Sequence, residues 1–378
     1  MRWLSHRSQT GLTSKSVFLL LLLILAVQAE PVLVTGTPAT PDFLESALRE
    51  RGWTEFPKRA LRPGESWKSS SGERVINVDW TPPLGLVAAL SDHPEKVEGR
   101  GALFLGGLTP LRPLIFQYYH LGKLGGTYPN LTLLVQNSGS EAASIHLRKG
   151  IGNTSLDYFS SGHTNNVRWF EAVGQNLGAF VRVEPGQTIE IFRQPMPKEQ
   201  VVSGTLGLTQ TEGPPLNFAF VARPDLKEPP SLNNLLKEDD VHSRGFYPAA
   251  RQTLSRHYNL GEAPLHLPVG AVRQQTFSGV RELRGDYGVT YQMKIQLSNP
   301  TSRPGKVEFV FNPRGGAATG TFVINGLTVE VANTAAFSER VFHTVDIAPM
   351  STETLFLETI PEGASSYPVR IVVREGNS

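Results

Sequence analysis

The 378-residue chain contains no cysteine. Disulfide staples, thiolate nucleophiles and cysteine-ligated metals are therefore excluded, and any stable fold must rest on cores large enough to stand without cross-links. Charge is sparse as well. Asp, Glu, Lys and Arg make up 19% of the residues and nearly cancel, so there is no basic block of the kind that grips phosphate backbones, and nucleic acid is excluded as a partner. The chain also lacks a Gly-x-Ser-x-Gly elbow, a His-Glu-x-x-His pair, an EF-hand loop and a P-loop. Past the first residues the histidines stand singly, at His93, His120, His146, His163, His242, His257, His266 and His343. None has a second at metal-ligand spacing. The acidic run Glu238-Asp239-Asp240 reads as a solvated turn. These absences predict no catalytic residue, no metal and no cofactor, and the chain is read as a non-enzyme.

Long apolar runs are missing except for one. Val17 to Val27 is unbroken, follows Arg2, Arg7 and Lys15, and leads into Val27-Gln28-Ala29. This is the pattern of a signal peptide, residues 1–29, cleaved after Ala29. The run is shorter than the roughly 20 residues that span a bilayer; a retained signal anchor is the alternative. Removing residues 1–29 takes away three basic and no acidic side chains and turns the formal charge from +2 to −1. The expectation is an exported protein of the extracellular space or cell envelope, with no membrane span once processed.

What the chain has in quantity is glycine and proline, 36 and 28 residues, between many short alternating apolar segments. That combination predicts an all-β, turn-rich fold. Two stretches are similar to each other. In one, Leu131, Leu133 and Val135 share a strand face that ends at Asn137; in the other, Met293, Ile295 and Leu297 do so and end at Asn299. A second alternating strand follows each Asn turn, with Ile145 and Leu147 in one copy and Val307 and Phe309 in the other. Further on, Val181 to Thr188 matches Val345 to Thr352 around a proline-led turn, and Leu216 to Val221 is matched with Val369 to Val373.

Repeated units of this size resemble the tandem immunoglobulin-like β-sandwich modules of secreted bacterial proteins, over about residues 72–223 and 250–378. The Cys…Trp…Cys hallmark is absent, and a likeness at this level implies fold and not function. The predicted organisation is a signal peptide (1–29), an N-terminal segment with one short helix (30–71), a first sandwich (72–223), a stiff proline-rich linker (224–249) and a second sandwich (250–378). The short helix is placed at 40–52, with Thr40 as its cap. Residues 74–80 are expected to open the first sandwich. Thr164 to Gly174 reads as one or two helical turns closed by Gly174, where the second copy has only a hairpin around Asn325-Gly326. Arg284-Gly285-Asp286 reads as a turn.

The candidate ligand-binding residues are His163, Arg168, Trp169 and Phe170, all in the insertion that the second copy lacks. An exposed Trp beside an Arg would make a platform for a sugar ring or a partner side chain. Burial of both aromatics at the end of the sandwich is the competing reading. Three roles follow in order: a non-enzymatic scaffold or interaction protein with an envelope protein as partner, a glycan- or cell-wall-binding protein using the aromatic insertion, and a secreted hydrolase with carboxylates on loops.

Overall fold

The computed structural model describes residues 86–376 apart from short interruptions, the longest at 224–241 and 276–281, together with strand segments at 32–35, 66–68 and 74–77. Among the described residues the fold is all-β, with several antiparallel sheets and one helix. The signal peptide, the helix at 40–52 and most of the 224–249 linker lie outside the described residues.

Two sheets enclose an N-terminal core. One runs, in hydrogen-bonded order, Val32–Thr35, Ala179–Val183, Ala143–Ile151, Val201–Glu212, Leu114–Gly122, Val87–Ser91 and Arg244–Tyr247; the other runs Thr188–Pro195, Asn130–Gln136, Leu216–Arg223 and Gly101–Leu108. Phe104, Phe116, Phe218 and Phe220 interlock between them, with edge contacts onto Phe116 at centroid distances of 5.2 to 5.9 Å. A second core lies between the sheet Arg251–Asn259, Thr290–Asn299, Ser351–Thr359, Ala318–Ile324, Leu327–Thr334 and the sheet Leu265–Val269, Val369–Glu375, Gly305–Pro313, Arg340–Ile347.

The cores meet through one strand. In Val87–Ser91, Val87 and Ala89 face the N-terminal core while Ala88 and Leu90 face the C-terminal one. Its neighbour Arg244–Tyr247 does the same, with Phe246 on one side and Tyr247 on the other. Both faces are dry, which is why residues 86–90 read Leu-Val-Ala-Ala-Leu without alternation. Arg244–Tyr247 falls in the segment expected to be linker, and it is instead a strand of the N-terminal sheet. Residues 74–80 also depart from expectation. Arg74–Asn77 pairs with Ser66–Lys68 in a separate two-stranded ribbon and does not open the sandwich.

The two asparagine turns are built alike. Asn137 Nδ2 donates to the carbonyls of Glu141 (2.7 Å) and Val183 (3.0 Å), and its Oδ1 accepts from Gly139 N (2.9 Å). Asn299 Nδ2 donates to the carbonyls of Arg303 (2.7 Å) and Ile347 (3.1 Å), and its Oδ1 accepts from Thr301 N (3.0 Å). Each amide thus closes its own turn and ties it to the end of a third strand. Strand pairing follows the same rule: Asn130–Gln136 pairs with Thr188–Pro195 as Thr290–Asn299 pairs with Ser351–Thr359, and Ala143–Ile151 pairs with Ala179–Val183 as Gly305–Pro313 pairs with Arg340–Ile347. The final match differs. Val369–Glu375 pairs with Gly305–Pro313, and the strand holding that place in the N-terminal sheets is Val201–Glu212, whereas Leu216–Arg223 returns to the opposite sheet. Val369 to Val373 therefore corresponds in position to Val201–Glu212 and not to Leu216–Arg223.

Asn137 and Asn299 are almost inaccessible to solvent, so truncation leaves buried carbonyls without donors. Asn137→Ala and Asn299→Ala should each lower unfolding stability by about 2 to 4 kcal/mol, read as a shift of the urea midpoint at constant slope. An Ala substitution at exposed Thr352 should be near neutral.

Candidate functional site

The insertion between Ala143–Ile151 and Ala179–Val183 is a helix, Tyr158–Gly174. It starts earlier than the pattern suggests, because Asp157 caps it by accepting from Phe159 N at 3.0 Å. It runs to Gly174. The chain turns at Asn176, which has φ 51°, and Arg148 holds that corner through Leu177 O (2.9 Å) and Asn176 Oδ1 (2.8 Å). The helix thus ends at Gly174 as the pattern expects, with the left-handed residue two positions further on.

The helix is wedged between the two sheet pairs, and small residues set its depth. A methyl group on Gly150 would stand 2.5 Å from the Trp169 backbone, one on Gly152 2.2 Å from Ser161 O, and one on Gly162 1.8 Å from Gly363 O. Ser203 Oγ donates to Ser161 O at 2.9 Å on the N-terminal side, and Asn166 Nδ2 donates to Ile360 O at 2.7 Å on the C-terminal side. Trp169 and Phe170 are only 5% and 4% exposed and pack with Ile115 and Ile360. The exposed aromatic platform is therefore corrected to a buried seal, since a helix gripped on two sides leaves no open face for either ring. Arg168 is committed locally, donating to Ile151 O (2.6 Å) and Asn153 Oδ1 (2.8 Å).

His163 is the member of the predicted set that reaches across. Its Nδ1 donates to Glu362 Oε2 at 3.1 Å and its Nε2 to Glu330 Oε2 at 2.9 Å. Glu362 is fully buried, and it also accepts from Thr319 Oγ1 (2.5 Å) and Thr321 Oγ1 (2.6 Å). Burial by itself would lower the His163 pKa, but the two carboxylates outweigh it and hold the imidazolium up to about 9. With both ring nitrogens facing carboxylates, only the doubly protonated ring satisfies the geometry.

Beside this clasp lies a cleft of about 280 Å³ between the sheet pairs. On Leu114–Gly122, Phe116 and Tyr118 point into the N-terminal core, so Gln117 and Tyr119 point out toward the helix and the C-terminal half. The helix contributes Tyr158 and Asn165, the turn at Asp286–Gly288 contributes Tyr287, and the loop after Glu362 contributes residues 363–366. Asp92, Glu95 and His242 complete the wall. Tyr287 Oη donates to Ser365 O at 2.6 Å, and His242 Nε2 lies 3.8 Å from Glu95 Oε2.

Two amides in this wall have no hydrogen-bond partner among the described residues. Gln117 is 2% exposed and Asn165 is fully buried, yet none of their four amide nitrogen and oxygen atoms is hydrogen-bonded. A buried polar group left unsatisfied costs about 1 to 3 kcal/mol, so these four atoms are open to hydrogen bonds from groups outside the chain. Burial, Glu95 and Asp92 together push the Tyr119 phenol well above its usual range, and burial with Asp92 pushes Tyr287 up to about 12. Both phenols therefore remain neutral donors. Of the tripeptide at 284–286, residue 284 lies outside the described residues, while Gly285 has φ 83° and Asp286 is buried and accepts from Tyr291 Oη at 2.5 Å. Gln117 had a signal in the sequence, a lone amide in the otherwise apolar and aromatic run Leu114-Ile-Phe-Gln-Tyr-Tyr. Asn165 and Glu362 had none. Among the described residues no cluster of His, Cys, Asp and Glu could hold a metal ion.

The clasp fixes a pH dependence. The raised histidine pKa makes its stabilisation complete below the ordinary value of 6.5 and removes it as pH climbs through about 9. Wild-type unfolding free energy should fall over that window by on the order of 3 kcal/mol. His163→Gln should be less stable at pH 6 and nearly flat across the window, as measured by urea titration at each pH.

No protein-family model and no curated protein matches the chain. Among solved structures it is similar to the GH26-CBM35 β-(1,4)-mannanase of Podospora anserina, at 9% identity and a TM-score of 0.18, covering 30% of this chain and 28% of that one. It thus spans less than a third of the mannanase. It is also similar to Lac15 from a marine microbial metagenome (9% identity, TM-score 0.14, 74% and 60% covered). A third is the N-terminal CBM22-1-CBM22-2 tandem domain of Paenibacillus barcinonensis Xyn10C (8% identity, TM-score 0.12, 67% and 73% covered). Likeness at these values identifies no family and carries no inference about ligands.

Proposed function

We propose that the chain is an exported, non-enzymatic binding protein built from two related sandwich units, and that it takes a small polyhydroxylated ligand, one sugar unit in size, in the cleft between them. The carrying observation is the set of four unpaired amide atoms on Gln117 and Asn165. A hydroxyl both donates and accepts, so a ring bearing several of them can pair with amide nitrogens and oxygens alike. Tyr119, Tyr158 and Tyr287 add flat apolar walls, and the cleft volume of about 280 Å³ falls just below the range for drug-sized ligand sites, about 300 to 1,000 Å³, which suits a smaller ligand.

Export is supported by the leader pattern at residues 1–29, and the kinship of the two units by the shared three-bond turns at Asn137 and Asn299. A purely structural scaffold gives no reason to place amides at Gln117 on an apolar strand and Asn165 on a buried helix face, where Leu or Met would fit. Hydrolysis finds less support. The carboxylates of the cleft, Asp92 and Glu95, come from one short segment, whereas glycosidic cleavage needs a carboxyl on each side of the bond.

Gln117→Leu separates these readings because it removes two unpaired polar atoms from a buried site. It should raise the unfolding stability of the ligand-free protein by about 1 to 3 kcal/mol and abolish saccharide binding. Thermal denaturation and isothermal titration with a panel of monosaccharides check both outcomes. A destabilised Gln117→Leu protein would show that the amide is part of a satisfied structural network, and the reading would fail.

A further inference from the structure

The second half of the chain leaves a sheet edge open. In the N-terminal half Asn130–Gln136 is followed by Leu216–Arg223, and Gly101–Leu108 covers the edge beyond. In the C-terminal half Arg251–Asn259 holds the place of Leu216–Arg223, beside Thr290–Asn299, and no described strand pairs with its outer side. Ala250 O accepts from Thr290 N and Leu260 N donates to Ser298 O, both at 2.9 Å. The even-numbered residues between them therefore bond inward, and the strand period turns the N–H and C=O groups of Arg251, Thr253, Ser255 and His257 outward. All four residues are exposed. The Ser255 carbonyl accepts only from the Arg256 side chain of the same strand, at 2.8 Å. On the outer face of this sheet a groove of about 510 Å³ begins at Thr253 and Ser255 and runs over Lys294 to Phe356, whose ring is 59% exposed. An added strand thus finds backbone partners at the edge and room for one row of its side chains.

The charge along the edge has one sign. Arg251–Asn259 contains two arginines and no Asp or Glu. Arg251 projects on the groove side with Thr253, and Arg256 on the core side with Leu254. Among the described residues neither arginine, nor Lys294 in the groove, is matched by a carboxylate. Glu358, the carboxylate of the groove, already accepts from Gln292 Nε2 at 3.0 Å. Two copies of this edge would bring their arginines together with no carboxylate between them, so the strand is guarded against pairing with itself. We propose that the edge docks an acidic peptide segment of another protein, which joins the sheet as an extended strand, bonds through its backbone to residues 251–257 and sets its carboxylates against Arg251, Arg256 and Lys294. Backbone pairing supplies the affinity of such a contact, and charge selects the partner. The groove shares no lining residue with the cleft between the halves, so the two sites stand or fall separately.

The test uses the exported chain, residues 30–378, and fluorescently labelled peptides of about ten residues, long enough to pair along the whole edge at about 3.3 Å per residue. One peptide alternates glutamate with valine and threonine. A second carries lysine in place of every glutamate, and a third is the acidic peptide with a proline at its centre. Fluorescence anisotropy should show the acidic peptide binding about tenfold more tightly than either of the others, since like charge repels one and the other lacks a ladder N–H. Thr253→Pro removes only an outward N–H, so the fold should survive while affinity for the acidic peptide drops about tenfold. Equal binding of the acidic and basic peptides overturns the charge match. Equal binding of the acidic and proline peptides overturns strand addition, and no binding by any peptide overturns both. The peptide series on the wild-type protein decides these outcomes even if Thr253→Pro does not fold.

Discussion

A carboxylate with no access to water sits at the centre of this molecule. Removing Glu362 from solvent costs several kcal/mol unless its charge is matched and its oxygens are bonded. Thr319, Thr321 and His163 meet both requirements, and they come from opposite halves of the chain. The clasp therefore does more than join two surfaces. It fixes the loop that follows, residues 363–366, at one distance from the helix, and that loop forms one wall of the cleft. Breaking a buried pair of this sort by removing one partner strands the other charge, which is why His163 and Glu362 cannot be varied independently.

The clasp works only because the surfaces it joins are held close by other means. Gly162 lies against the Gly363 carbonyl without room for a side chain, and Gly150 and Gly152 play the same part on the sheet side. Val87–Ser91 and Arg244–Tyr247 bury one face in each core, so the halves share a wall and are not beads on a string. An ordinary inter-domain contact is more polar and permits relative motion. Here a shared apolar strand pair resists hinge opening, and the cleft is accordingly preformed.

Alternation made most of the strands legible, and the asparagine turns were visible because each closes a strand of the same face pattern. The helix was read too short because Ser160, Ser161 and Gly162 are weak helix formers. They are there for close packing, a tertiary demand that local propensity cannot express. Prolines before residues 244–247 make that segment read as linker, yet its partner strand lies about 150 residues earlier in the chain, and no local pattern encodes such a pairing. Trp169 looked like a platform since an insertion at the end of one sandwich has a free face until the second sandwich covers it. For the cleft, Gln117 carries a sequence signal as a lone amide in an apolar run, yet it is not among the candidates named from the sequence. Asn165, Glu362 and Asp92 belong to segments unremarkable in themselves, and only folding brings them together.

The polarity of the cleft is the last point that needs a cause. Gln117 projects from the same strand face as Ile115, Tyr119 and Leu121, three side chains that pack against apolar neighbours of the other half. Leucine at 117 would extend that apolar seam without interruption and would carry no desolvation cost. Asn165 stands in the same relation to Trp169, one helical turn along and buried against Ile115. Two positions where an apolar residue would serve stability better both hold amides, and both face one cavity. Folding stability alone gives no reason for that coincidence, whereas recognition of a group able to donate and accept hydrogen bonds does.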